Sequence, residues 1–146
     1  MELKFEVYCK IRRPVPEVFD AIYNPKKLSG YFTTGGASDP LDEGKSVTWD
    51  FADHPGAFPV LVKQVIKNEK IVLEWDNMEG SKNRVEINFE ALDNNSTLVR
   101  INESGWKNKD QKSLDASYRN CMGWMQMLCS LKVYVEYNKN LREFMF

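Results

Sequence analysis

From about Asp110 to the late 130s the chain passes one glycine and no proline. This uninterrupted stretch constrains the fold more than any other feature. Within it Trp124, Leu128, Leu131 and Val135 are spaced 4, 3 and 4 apart, which places them on one face of a helix. Leu114, Tyr118, Cys121, Met122 and Met125 extend that stripe upstream. A helix of about 25 residues is roughly 37 Å long, the span of a small domain. The segments before it are short, so this helix is the one large element against which they can bury an apolar face.

Those earlier segments alternate. Leu3, Phe5, Val7, Cys9 and Ile11 fall on one side, and Glu2, Lys4, Glu6, Tyr8 and Lys10 on the other, the period of a half-buried strand. Val47, Trp49 and Phe51 alternate with Ser46, Thr48 and Asp50, and Phe58 to Ile66 is a longer apolar run. Ile71, Val72, Leu73 and Trp75 build the next strand, followed by Val85, Ile87, Phe89 and Ala91. Thr97, Val99 and Ile101 continue on the inward face opposite Leu98, Arg100 and Asn102.

Short polar links separate the strands. His54-Pro55-Gly56, the Lys67–Lys70 segment, Gly80-Ser81-Lys82-Asn83 and Asp93-Asn94-Asn95 read as turns. Sequential strands with short links favour an antiparallel meander. After the first strand, Pro14 and Pro16 open a helix carrying Val18, Phe19, Ile22 and Tyr23. Asn24-Pro25 stops it and starts a shorter helix to about Tyr31.

The expected architecture is α+β: a curved antiparallel sheet of about six or seven strands gripping one long terminal helix, over residues 1–146 as a single domain. A sheet curled round one helix closes its interior less tightly than a flat sandwich. Space is therefore expected between the concave face and the first half of the helix.

Charge and cysteine content narrow the function. Twenty Lys and Arg against 21 Asp and Glu leave a net charge of −1, without the basic footprint of a nucleic-acid binder. No apolar run reaches the roughly 18 to 20 residues that cross a bilayer, and Met1-Glu2-Leu3-Lys4 does not begin a secretory signal. The expectation is a cytoplasmic protein with no membrane insertion. Cys9, Cys121 and Cys129 have no CxxC spacing and read as reduced core thiols. His54 is the only histidine, which argues against a zinc hydrolase or a Ser-His-Asp triad; no metal, cofactor or catalytic dyad is expected.

Five stretches together resemble the START-like, helix-grip proteins of the SRPBCC superfamily, in the branch related to the activator of Hsp90 ATPase. They are Pro14 to Leu28, Gly56 to Val62, Lys70 to Trp75, Ser96 to Gly105, and Gly123-Trp124 followed by Leu128 and Leu131. The resemblance implies the helix-grip fold. It leaves the activity open, because the fold hosts binding proteins, cyclases and chaperone-associated domains. Several relatives carry a histidine where this chain has Glu103.

The leading expectation is a binding protein for a small hydrophobic or amphipathic molecule. Its candidate ligand-binding residues are Trp49, Phe58, Trp75, Phe89, Glu103, Tyr118, Met122 and Met125, since pockets are mostly apolar with a few convergent polar groups. Glu103 is in phase with Thr97, Val99 and Ile101. Either it faces the cavity, or the strand ends by Asn102 and leaves it solvated at the rim. One alternative is a cyclase or hydratase acting on an aromatic or polyketide-like substrate, with Glu103, Tyr118, Asp50 or Asp76 as acid–base candidates. The other is a protein-interaction module with a chaperone partner.

Overall fold

The computed structural model describes residues 1–146. In chain order, β1 (Leu3–Ile11) leads to α1 (Val15–Tyr23) and α2 (Pro25–Leu28). The short β2 (Gly36–Ala37), β3 (Ser46–Phe51), β4 (His54–Ile66), β5 (Lys70–Asp76), β6 (Lys82–Asp93) and β7 (Ser96–Trp106) follow. α3 (Gln111–Tyr137) closes the series. The seven strands form one antiparallel sheet in the order β1-β7-β6-β5-β4-β3-β2. Only the pairing of the first strand with the last departs from a meander.

Local chemistry sets the element ends. Pro16 stands in the first turn of α1, where a missing N–H costs nothing. The Asn24 side chain accepts from the Lys26 N–H and caps α2. α2 stops at Leu28, short of the Tyr31 expected from sequence, because Tyr31 leaves the helix to become fully buried and donates its hydroxyl to the Ala21 carbonyl at 3.0 Å. Asp110 caps α3 through the Ser113 N–H, and Asn138 ends it in the left-handed conformation, φ 54°.

The turn expected at His54-Pro55-Gly56 lies two residues earlier, at Ala52-Asp53, and those three residues begin β4. Asp50 makes this possible: its Oδ1 accepts from the N–H groups of both Phe51 and Gly56, bridging the irregular start of the ladder.

The inward residues of the alternating strands make one buried cluster with α1, α2 and the second half of α3. Ile11, Leu73, Ile87, Ile101, Leu128 and Leu131 are all essentially inaccessible. α3 packs chiefly on β1 and also meets α1 and β7. Its first half therefore stands away from β3, β4 and β5, and the space between is where the site lies. The three cysteines are free and half-buried rather than fully in the core; burial pushes the Cys9 thiol above its ordinary pKa. No helix is long and apolar enough to cross a membrane.

Candidate functional site

A cavity of about 750 Å³ lies between the β3–β5 side of the sheet and the first half of α3, partly open to solvent. Eight Phe and Trp rings line it, and six of them, Phe32, Trp49, Phe51, Phe58, Trp75 and Trp124, form one connected set. They hold one another. Trp75 stacks on Trp124 with centroids 5.6 Å apart and planes 9° off parallel. Trp49 meets Trp75 edge-on at 6.1 Å, and Phe32 meets both Trp49 and Phe51 edge-on. Such pairs add to area burial and fix ring orientation, so the wall is preformed.

Ala116, Arg119, Asn120, Met122 and Gly123 of α3 border this space, and the sheet-facing stripe beside them is unusual. Ser113, Ser117 and Trp124 are buried, and Asn120 lies among them at the same helical phase. This stripe is polar upstream, and α3 contributes buried apolar side chains to the core only from Trp124 onward. Gly123 adds to the opening: a Cβ built there meets nothing within 4 Å.

Behind the wall sits Glu103. β7 continues to Trp106, so the alternation carries Glu103 inward and leaves it 1% exposed. Four side-chain hydrogen bonds reach its carboxyl group. Trp75 Nε1 donates to Oε1 at 3.0 Å, Asn120 Nδ2 donates to Oε1 and Oε2 at 3.2 and 3.1 Å, and Asn83 Nδ2 donates to Oε1 at 3.4 Å. Asn83 is steadied in turn by Asn77, whose Nδ2 donates to Asn83 Oδ1 at 2.8 Å. No cation faces Glu103 in this network. Burial pushes its pKa up to about 7, although Asn120, Asn83, Trp75 and Trp124 favour the charged form.

Just beyond Glu103 a bulge ends the regular ladder between β1 and β7. Gly105 sits there at φ 124°, and a Cβ would fall 2.4 Å from the Lys82 carbonyl oxygen. Only glycine permits that approach.

The residues after α3 fold back over the cavity mouth. Arg142 donates to both carboxylate oxygens of Asp53, Nε to Oδ2 at 2.6 Å and Nη2 to Oδ1 at 2.8 Å. Its Nη1 donates to Gln126 Oε1 at 3.0 Å, and its guanidinium lies 4.7 Å from the centre of the Phe51 ring. Asp53 is held below the usual carboxylate range by this partner. Arg142 and Phe146 thereby become part of the cavity wall.

Of the residues expected from sequence, Trp49, Phe58, Trp75 and Met122 line the cavity, and Glu103 lies directly behind Trp75. Phe89 does not reach it, being packed edge-on against Phe19 of α1 at 5.2 Å. Tyr118 and Met125 are 62% and 38% exposed on the outer flank of α3 and are not in the wall. Their apolar character drew them into the stripe, but the inward face is set by Ser117, Asn120 and Trp124, and each successive residue turns about 100° round a helix. Sequence reasoning passed over Asn83, Asn120 and Arg142. The 4, 3, 4 spacing of Ser113, Ser117, Asn120 and Trp124 was the available signal for Asn120; nothing local marks Arg142.

A curved antiparallel sheet gripping one long helix, with two short helices after the first strand, defines a helix-grip protein of the START-like class. More narrowly, the chain belongs to the family described as activator of Hsp90 ATPase homolog 1-like protein, whose sequence profile matches residues 12–136. Among solved structures, SSP2350 from Staphylococcus saprophyticus is similar over 94% of this chain and 96% of its own, at 24% identity and a TM-score of 0.76. DynU16, from the dynemicin biosynthetic locus, is similar over 95% of this chain and 49% of its own, at 22% identity and a TM-score of 0.80. The Aha1 dimer from Colwellia psychrerythraea is similar over 94% of this chain and 98% of its own, at 18% identity and a TM-score of 0.74. At such identities the likeness establishes the fold. No curated protein matches the sequence.

Proposed function

We propose that the protein binds a small hydrophobic or amphipathic molecule in the cavity between the sheet and the first half of α3. The observation that carries this reading is a space of about 750 Å³ walled by six mutually braced aromatic rings. It falls within the roughly 300–1,000 Å³ of small-molecule sites. Trp49, Phe58 and Trp75 supply the apolar bed, and Met122 at the mouth adapts to the shape of the guest. Native mass spectrometry of the purified protein, followed by organic extraction, tests it. A bound mass released into the organic phase is expected; a protein that retains nothing and binds no member of a lipid and aromatic panel contradicts it.

One observation favours a second reading, catalysis on such a guest. Burial pushes the Glu103 pKa up to about 7, and Trp75 and Asn120, which both line the cavity, donate to its carboxyl group, so its protonation state bears on the wall that a guest touches. If this reading holds, Glu103→Gln lowers kcat for a bound substrate and removes its pH dependence near neutrality while leaving retention of the substrate unchanged.

A further inference from the structure

The charges around the cavity do not cancel, and the imbalance is local. Asp53 is neutralised by the two-pronged contact from Arg142. Asp76 is neutralised by Lys82, whose Nζ lies 2.6 Å from Oδ1. Arg119 also lines the cavity, and its one side-chain contact is a weak approach of Nη2 to the Met78 sulfur at 4.0 Å. The carboxylate one turn earlier on α3, Asp115, accepts from Gln111 Nε2 at 2.7 Å and makes no ion pair with Arg119. Deeper in, Glu103 already receives donors on both oxygens, and its burial favours the neutral form. The mouth therefore presents one uncompensated guanidinium above an aromatic interior.

We infer that the ligand carries an acidic head, a carboxylate, sulfonate or phosphate, and that Arg119 receives this head at the mouth while the apolar body lies among Trp49, Phe58, Trp75 and Trp124. The inference rests on the binding reading above and names its ligand class. A planar guanidinium matches the paired oxygens of such a head through two parallel N–H donors. Met78 and Met122 also line the mouth, Met122 one turn beyond Arg119, and offer apolar surface to the part of the ligand next to its head. Arg119 acts as a specificity residue, selecting acids over neutral molecules of the same shape.

Two fluorescent probes that share one ring system separate the head from the body: anilinonaphthalene sulfonate, an anion, and N-phenylnaphthylamine, which is neutral. Both are titrated into the wild-type protein and into Arg119→Gln, with displacement of one by the other confirming a common site. The substitution is expected to weaken sulfonate binding about tenfold, as loss of a charge-assisted hydrogen bond does, and to leave the neutral probe within about twofold. Raising salt from about 0.05 to 0.5 M is expected to weaken only the sulfonate, and only in the wild type. Arg119→Lys is expected to retain part of the preference. Equal effects on both probes, or none on either, overturn the role of Arg119. Failure of the wild type to bind the neutral probe overturns the binding reading itself.

Discussion

Trp75 donates its indole N–H to Glu103 across 3.0 Å, joining the aromatic wall of the cavity to the carboxyl group sealed behind it. The pair explains why a costly buried acid is compatible with this fold. Its oxygens are satisfied by neutral donors from β5, β6 and α3, so no counter-charge is needed, and the remaining cost appears as a raised pKa.

That raised pKa dictates a pH dependence. The folded carboxyl titrates near 7, against an ordinary value of 4.5. Between those limits the folded protein holds a proton that the unfolded chain has lost, so stability falls as pH rises through this window. The full loss is roughly 3 kcal/mol, at about 1.4 kcal/mol per unit. Glu103→Gln keeps the acceptor oxygen and cannot ionise. Urea unfolding at pH 5 and pH 8 is expected to show the loss in the wild type and a flatter profile in the variant.

Gly105 fixes where Glu103 points. An alanine there would set Cβ 2.4 Å from the Lys82 carbonyl oxygen at a backbone angle that only glycine adopts freely. Gly105→Ala is expected to cost about 2 kcal/mol or more. Near-ultraviolet dichroism should report a changed tryptophan signal as the Trp75–Glu103 contact shifts. A neutral effect on both would mean that the bulge does not position the acid.

The contact between Arg142 and Asp53 ties the segment after α3 to the β3–β4 turn across the cavity mouth. Their side chains are only 10% and 15% exposed, so the pair is worth more than a surface ion pair. Arg142→Gln and Asp53→Asn are each expected to speed probe dissociation several-fold in stopped-flow exchange, at a stability cost of about 1 to 3 kcal/mol. The double variant should add little, since either change alone opens the tie.

The fold was legible because its signals are periodic. Two-residue alternation in Leu3–Ile11 and from Val47 to Ile101 describes the strands, and the spacing of Trp124, Leu128 and Leu131 describes the helix. The cavity was legible less directly. Trp49, Phe58 and Trp75 sit on strand faces whose direction follows from the alternation. The upstream half of α3 misleads, because its inward face carries Ser113, Ser117 and Asn120, and its exposed face carries Tyr118 and Met125. Along this half of the helix hydrophobicity marks the solvent side, because the buried positions are held by side-chain hydrogen bonds such as those of Asn120 to Glu103 and Ser117 to the Leu114 carbonyl. Arg142 was invisible for a different reason: its partner Asp53 is 89 residues away, and no local pattern encodes that meeting.

The cavity itself can be filled without disturbing its walls. Gly123 lies in mid-helix beside open space, where a larger residue has room and a better helix propensity by roughly 1 kcal/mol. The most direct measurement is therefore a fluorescence titration of N-phenylnaphthylamine into the wild type and Gly123→Leu, with thermal melts of both. The wild type is expected to bind the probe, and the variant to melt no lower yet bind at least tenfold more weakly. Equal binding by the two proteins, or none by the wild type, would contradict binding in this cavity.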